Sequence, residues 1–239
     1  MTGLRVVIAG TGTAVGKTHV GCALLGSWAE LGVEAVGLKP IESGIADLTE
    51  LSDQERLTDA SQAFHVKRPG TPPMFHVKRP LYALPEPLSP HLAARRAGVR
   101  IELNAIRSWV LDHPARVVVV ETAGGLFSPL TDDAATNADL VTALKPATLV
   151  LVAPDRLGVL HDLTATLGLA AARGLPHAAV VLSAPERADL STGKNAEELV
   201  RLGIASVVAS FPRASPSDAV SREAATALIR SLQTNGSGP

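Results

Sequence analysis

The most informative segment of the sequence is Gly10-Thr11-Gly12-Thr13-Ala14-Val15-Gly16-Lys17-Thr18. An apolar run, Leu4–Ala9, precedes it, and a helical pattern over 19–30 follows it. Strand, glycine-rich turn and helix in this order predict a phosphate-binding loop, where backbone N–H groups and the helix dipole hold an anion. Lys17 would then reach the outer phosphates, and the Thr18 hydroxyl would ligate the Mg²⁺ that accompanies them. Five residues, where four are usual, separate the first glycine from the Gly-Lys-Thr triplet; the alternative is a turn that only closes a β–α unit.

Length and composition favour one α/β domain over residues 1–239. Of the 239 residues, 46% are hydrophobic and only 3% aromatic, which suits a sheet covered by helices. A net charge of −1 gives no reason to expect a nucleic-acid or membrane partner. The single cysteine, Cys22, excludes an internal disulfide framework. The chain starts in a strand pattern instead of a signal peptide, and no apolar run reaches the roughly 18 residues of a membrane span, so we expect a cytoplasmic protein.

Strand and helix patterns alternate along the whole chain. They predict a P-loop NTPase type of α/β fold, with a mostly parallel sheet and helices on both faces. The strand patterns are Leu4–Ala9, Ala35–Leu38, Val117–Val120, Thr148–Val152, Ala179–Leu182 and Ala205–Ser210. The helical patterns cover 19–30, 53–64, 89–98, 101–112, 138–144, 161–172, 193–202 and 217–232. The tail over 234–239 is expected to fray.

One short segment occurs twice. Phe64-His65-Val66-Lys67-Arg68-Pro69 returns as Phe75-His76-Val77-Lys78-Arg79-Pro80. A basic anion-binding loop is one interpretation, but the flanking prolines and glycine favour a duplicated or inserted surface segment over 64–80.

Polar side chains follow several of the predicted strands, at the edge where open α/β sheets bind their ligands. Lys39 and Ser43 lie in the turn Lys39-Pro40-Ile41-Glu42-Ser43-Gly44, beside the phosphate loop. Glu121 comes directly after four valines, where a carboxylate needs a cation or a donor, and Mg²⁺ shared with Thr18 would supply one. A structural ion pair for Glu121 and a surface position for Lys39 are the alternatives. The histidines show no metal-ligand spacing, and no serine-hydrolase motif occurs.

Four motifs in register resemble the dethiobiotin synthetases, ATP-dependent enzymes of biotin biosynthesis. They are Gly10–Thr18 with its extra residue, Lys39–Gly44, Ser89-Pro90-His91 and Glu121-Thr122-Ala123-Gly124-Gly125. The resemblance implies a P-loop α/β homodimer that converts 7,8-diaminopelargonate (7,8-diaminononanoate), CO₂ and ATP to dethiobiotin, ADP and phosphate, with Mg²⁺ as cofactor.

The resemblance also implies a role for each matching position. Lys17 and Lys39 would be catalytic, and Thr18, Asp59 and Glu121 would hold the metal. The nucleotide would contact Gly12, Thr13, Ala14, Val15, Gly16, Lys17, Thr18, His19, Asp59, Glu121, Thr122, Ala123, Gly124, Ser183, Ala184, Pro212, Arg213 and Ala214. The substrate would contact Thr13, Ser43, Gly124, Leu157, Gly158 and His161, the last three across the dimer.

Several positions depart from the family pattern. Gly12 replaces a common Asp, Thr122 a common Gly, and His161 a common Asn. Ser183 stands where the family usually has the Asn that selects the purine, so another nucleoside triphosphate could serve. A different class, the partitioning and septum-positioning ATPases, shares this fold but carries an early lysine in the loop, where this chain has Thr11 and Gly12.

Overall fold

A computed structural model describes residues 3–45, 51–67 and 77–235. The strands are β1 (Leu4–Gly10), β2 (Ala35–Leu38), β3 (Ile41–Ser43), β4 (Tyr82–Leu84), β5 (Val117–Gly125), β6 (Thr148–Pro154), β7 (Ala178–Ser183) and β8 (Val208–Phe211). The helices are α1 (Lys17–Glu30), α2 (Asp53–Lys67), α3 (Pro90–Arg96), α4 (Leu103–Leu111), α5 (Asn137–Ala143), α6 (Val159–Ala172), α7 (Asn195–Arg201) and α8 (Ala219–Asn235).

Six strands form the main sheet, in the order β2-β5-β1-β6-β7-β8, and every neighbouring pair is parallel. The predicted α/β class with a mostly parallel sheet is confirmed. Because all six strands run the same way, their carboxyl ends meet at one edge of the sheet. β1 lies between β5 and β6, so the loop that follows it opens at the centre of that edge.

The central strands are buried on both faces, and alternate residues pack against different helices. Val6 and Ile8 of β1 belong to an apolar cluster with α1, α2 and α8. Val7 and Ala9 belong to a second cluster that includes residues of the helices from α3 to α7. Helices therefore cover both faces, as the unbroken apolar strands predict. No helix within 3–45, 51–67 and 77–235 is long and apolar enough to cross a membrane.

The structure differs from the sequence-based predictions at two places near β2. The segment after Lys39, expected to be a turn, holds the short strand β3, which pairs with β4 in a separate parallel sheet. Residues 64–67 of the first copy form the last turn of α2, with Phe64 buried, and Val77 of the second copy packs in the core. Residues 68–76 between them, like residues 236–239 of the tail, lie outside the described residues.

Gly37 of β2 lets α1 and α2 approach the sheet closely. A Cβ atom at this position would lie 2.6 Å from Leu25 Cδ1 and 2.9 Å from Leu57 Cβ. Both contacts are shorter than van der Waals distance, and both neighbours are fully or almost fully buried. The glycine therefore sets how close α2 comes to the carboxyl end of β2.

Gly37→Ala is expected to lower the free energy of unfolding by about 1–3 kcal/mol, because the added methyl group overpacks this contact. Gly26→Ala is the matched control, since a Cβ at Gly26 of α1 meets nothing within 4 Å. That change should raise the free energy of unfolding by about 0.5–1 kcal/mol through helix propensity. Urea denaturation measures both, and a shift of the same sign in the two variants would contradict the close approach.

Candidate functional site

The loop between β1 and α1 has the backbone of a phosphate cradle. Gly16 has a φ of 93° and Ala14 a φ of 56°, both in the left-handed region that turns successive N–H groups inward. A Cβ at Gly10 would lie 2.7 Å from Val15 Cγ2, so the first glycine is required by space. α1 begins at Lys17 and adds the positive end of its dipole to the same concave surface.

Lys17 is buried at the start of α1, with 6% of its surface exposed. Its Nζ donates a hydrogen bond of 3.0 Å to the Gly12 carbonyl, which holds the ammonium over the loop. Burial lowers the pKa of Lys17 to about 8, and repulsion by Lys39 adds to the effect, while Glu121 and Asp53 oppose it. A phosphate anion in the loop would supply the countercharge that this lysine lacks.

A second group of charges surrounds Glu121 of β5, which is 1% exposed. Thr18 Oγ1 donates to Glu121 Oε1 at 2.9 Å, and Lys39 Nζ donates to the same oxygen at 2.9 Å. Lys39 also forms an ion pair with Asp53 at the start of α2. Burial raises the pKa of Glu121, and the ion pair with Lys39 counteracts it. Burial opposes the charge on Lys39, but Glu121 and Asp53 outweigh it and raise the pKa of Lys39.

Buried hydrogen bonds hold the backbone around this group in place. The Lys39 N–H donates to Gln54 Oε1 at 2.6 Å, and the Gln54 amide donates to the Gly37 and Val77 carbonyls. The Glu42 carboxylate accepts the N–H groups of Asp53 and Gln54, at 2.7 and 3.2 Å. A carboxylate at a helix N-terminus is favourable, so Glu42 anchors the first turn of α2 beside β2.

These groups line one cavity of about 700 Å³ at the carboxyl edge of the sheet. Its wall includes the predicted residues Thr13, Ala14, Val15, Gly16, Lys17, Thr18, His19, Lys39, Ser43, Glu121, Ala123 and Gly124. Ser89 and Ser128, which the sequence analysis did not place in the site, also line it. A cleft of about 830 Å³ beside α3 and α4 is larger, but it contains none of the phosphate-loop residues.

A neighbouring cavity of about 580 Å³ lies on the other side of the phosphate loop. It brings together the positions predicted to contact the base, Ser183, Ala184, Pro212, Arg213 and Ala214. Ser183 is close to the loop itself, because a Cβ at Gly16 would lie 2.5 Å from Ser183 Oγ. His19 lines both cavities, and burial lowers its pKa, which favours a neutral imidazole there.

Asp53, not Asp59, is the acidic residue of α2 that lies at the site. Asp59 is exposed and lines neither cavity. The two residues are six positions apart, which separates their directions by roughly 120° around a helix, so their side chains point to different surroundings. The signal that could have found Asp53 is its place at the first residue of the helix, at the ligand-binding edge of the sheet.

Other predicted residues also lie away from the cavities. Thr122 is buried, and strand alternation turns it to the face opposite Glu121. Gly12 takes part only through its carbonyl, which accepts from Lys17. Leu157, Gly158 and His161 lie at the start of α6, and none of them lines either cavity. The Leu157 N–H already donates to Asp189 at 2.8 Å.

Comparison with known proteins finds similarity to nucleotide-dependent enzymes, in agreement with the phosphate-binding loop. Residues 4–221 match a family model described as an AAA domain. The chain is 41% identical over 208 residues to the ATP-dependent dethiobiotin synthetase BioD of Anaeromyxobacter dehalogenans strain 2CP-C, covering 84% of this chain and 86% of the relative. The BioD protein of Caulobacter vibrioides strain NA1000 is 36% identical over 181 residues, covering 74% of this chain and 78% of that relative.

The chain belongs to the dethiobiotin synthetase family. Two solved structures resemble it in fold. The MinC:MinD cell division protein complex of Aquifex aeolicus has a TM-score of 0.55 and 13% sequence identity, covering 99% of this chain and 97% of that one. The MinD cell division protein of Aquifex aeolicus has a TM-score of 0.53 and 14% sequence identity, covering 95% of this chain and 97% of that one. At these identities the likeness shows the fold alone. The regulatory ATPase class is therefore not favoured over the dethiobiotin synthetases.

Nucleotide affinity is expected to fall as the pH rises above about 8, the pKa of Lys17 in the empty loop. Below that pH the ammonium is present before and after binding. Above it, binding must take up a proton, so affinity should drop by up to about tenfold per pH unit. Calorimetric titration with a non-hydrolysable ATP analogue from neutral pH upward measures this.

The matched control for this titration is Lys17→Arg, whose guanidinium stays charged over the whole range. Its affinity should show no such fall. An equal fall in both proteins would assign the pH dependence to a different group.

Proposed function

We propose that the protein catalyses the ATP- and Mg²⁺-dependent carboxylation and ring closure of 7,8-diaminopelargonate to dethiobiotin. The observation that carries the proposal is the pair of buried lysines, Lys17 and Lys39, which flank one cavity between the phosphate loop and Glu121. A phosphate-binding loop explains the first lysine. The second lysine, beside Ser43, supplies positive charge where a second anion would meet the γ-phosphate.

The reaction has three steps in this proposal. One amine of the diamine adds to CO₂ and loses a proton, which gives a carbamate. A carbamate oxygen then attacks the γ-phosphorus and ADP leaves, so that a carbamic–phosphoric anhydride forms. The second amine attacks the carbamate carbon, phosphate leaves with the C–O bond electrons, and the ring nitrogen gives up its proton.

The residues of the cavity act mainly by positioning and by neutralising charge, which supply most of the acceleration in phosphoryl transfer. Lys17 holds the β- and γ-phosphates, and Lys39 faces the carbamate. Thr13 and Ser43 lie on the cavity wall, where their hydroxyl groups can hydrogen-bond the diamine. Gly124 has a φ of 74° and no side chain, so its backbone can approach both substrates closely.

The residues present fit a magnesium ion. Oε2 of the buried Glu121 has no hydrogen-bond partner among the described residues, which leaves a carboxylate oxygen for a cation. The Thr18 hydroxyl gives its hydrogen to Oε1 and so keeps a lone pair for the metal. Asp53 completes the set in place of Asp59. Among the described residues no three His, Cys, Asp or Glu side chains form a metal site on their own, so the phosphates would supply further ligands. The ion would neutralise charge on the β- and γ-phosphate oxygens.

The nucleotide base would occupy the cavity of about 580 Å³ beside Ser183. A serine hydroxyl fixes fewer donors and acceptors than an asparagine amide does. Glu186 and Arg213, the charged side chains of this cavity, are exposed. We therefore propose ATP as the co-substrate, with weaker selection of the base than an amide would give.

A homodimer with a cytoplasmic location completes the proposal. The substrate-binding turn at Leu157, which the family places across the dimer, is at the surface, with Leu157 75% exposed. The adjoining part of α6 exposes Ala165, Gly168 and Leu169 and no charged group between them. Such a surface suits a second copy of the chain. Sedimentation velocity should give about twice the monomer mass of 24.7 kDa, and a monomer would contradict the dimer.

The direct test incubates purified protein with diaminopelargonate, bicarbonate, Mg²⁺ and ATP, and detects dethiobiotin by mass spectrometry. Asp53→Asn should lower kcat/KM by about 100-fold or more, because it removes an anionic ligand beside the reacting phosphates. Asp59→Asn is the matched control and should stay within about twofold of the parent protein, as a substitution of an exposed side chain.

Two results would contradict the proposed function. No dethiobiotin from well-folded parent protein would reject the reaction. A larger loss for Asp59→Asn than for Asp53→Asn would reject the assignment of the acidic residue.

A further inference from the structure

We propose that the Lys39 ammonium is a stand-in for the metal ion: it holds the site's two carboxylates together before Mg²⁺ arrives and leaves them when Mg²⁺ binds. This inference rests on the magnesium site of the proposed function. It gives Lys39 two successive positions, one on the carboxylates and one in the substrate cavity.

The contacts of Lys39 are those of a cation between metal ligands. Its Nζ lies 2.9 Å from Glu121 Oε1 and pairs with Asp53 on its other side. The Thr18 hydroxyl meets the same Glu121 oxygen at 2.9 Å. The two carboxylates proposed as metal ligands thus contact the Lys39 ammonium, and the Thr18 hydroxyl binds the Glu121 oxygen that the ammonium also contacts.

A divalent ion and an ammonium cannot share this place without strong repulsion. Glu121 is 1% exposed, so water screens little of the charge around it. In the absence of metal, a buried carboxylate without a cation would be costly, and Lys39 removes that cost. Once a metal carries two positive charges into the same carboxylates, the ammonium is no longer needed there.

Lys39 can make this change because the hydrogen bond that fixes its backbone does not depend on the ion pairs of its ammonium group. The Lys39 N–H is held by the buried Gln54 amide, whereas the ammonium is at the end of a flexible stem. The Asp53 side chain is 37% exposed, so water can replace the ammonium there. The cavity of about 700 Å³ that Lys39 lines also contains Ser43 and Gly124, on the side proposed for the diamine. Metal binding would therefore release the Lys39 ammonium from the carboxylates, and the ammonium could then contact the carbamate in this cavity.

The test measures metal binding without nucleotide or diamine, with Mn²⁺ as the probe and the free ion detected by electron paramagnetic resonance. Lys39→Met removes the competing ammonium and should bind Mn²⁺ at least about tenfold more tightly than the parent protein. Equal or weaker binding would overturn the inference. Lys17→Met removes a buried ammonium that pairs with neither carboxylate, so its Mn²⁺ affinity should increase less than that of Lys39→Met. The double variant Lys39→Met/Glu121→Gln lacks a proposed metal ligand and should lose the increase in Mn²⁺ affinity.

Thermal unfolding gives a second readout. Without metal, Lys39→Met should melt below the parent protein, and Mg²⁺ should raise its melting temperature more than it raises that of the parent. Lys39→Gln, which keeps an amide donor, is the second neutral variant if Lys39→Met does not fold. If both are unfolded without metal, refolding by Mg²⁺ supports the exchange and no refolding overturns it.

These outcomes separate the inference from the proposed function. A normal gain in Mn²⁺ affinity with no dethiobiotin formed would reject the reaction alone. Equal Mn²⁺ affinity in an enzyme that makes dethiobiotin would reject the exchange alone.

Discussion

A buried carboxylate with its cation is the interaction on which the rest of this structure depends. Glu121 follows the valine run of β5, between β2 and β1, and is almost completely shielded from water. Leaving such a charge unpaired would cost about 3–5 kcal/mol, a large fraction of a domain's stability. Lys39, which follows β2, and Thr18 of α1 both donate hydrogen bonds to the Glu121 Oε1 atom, and the Lys39 ammonium balances its charge. The fold therefore has to bring β2, β5 and α1 together at one point, and that point is the cavity of the candidate site.

The parallel sheet makes this convergence possible. β5 separates β1 from β2, so the phosphate loop after β1 and Lys39 after β2 reach Glu121 from its two sides. Gln54 then joins the first turn of α2 to the residue after β2, and Glu42 joins it to β3, which sets Asp53 next to Lys39. The close contact at Gly37 holds the same helix against the sheet. The contacts that pack α2 against the sheet therefore also position Asp53 and Lys39, so a change in this packing would displace both side chains.

Much of the architecture could be predicted from the chain alone. Within the described part of the chain, the six strands of the main sheet and the eight helices have clear apolar patterns, and each was expected near its observed position. β3 and β4 were missed because strands of three residues have too short a pattern to recognise. The extension of α2 beyond Phe64 to Lys67 was missed because the repeat suggested a surface segment, whereas its first residues continue the helix and Phe64 is buried. Asp59 was assigned from the family resemblance, and Asp53 was missed although it opens the predicted helix, because the rotation of α2 that brings Asp53 to the cavity is set by tertiary packing.

Local sequence patterns account for the features that could be predicted from the chain alone. The order of strands and helices, the phosphate loop and the candidates Lys17, Thr18, Lys39 and Glu121 follow from hydrophobic period, glycine positions and the cost of a charge after an apolar run. Only the tertiary structure decided which groups pair: that Lys39 joins Asp53 to Glu121, and that Ser183 lies against Gly16. Such pairs depend on the order of the strands within the sheet and on the rotation of each helix about its axis. Both are set by the packing of residues far apart in the chain, and no local pattern records them.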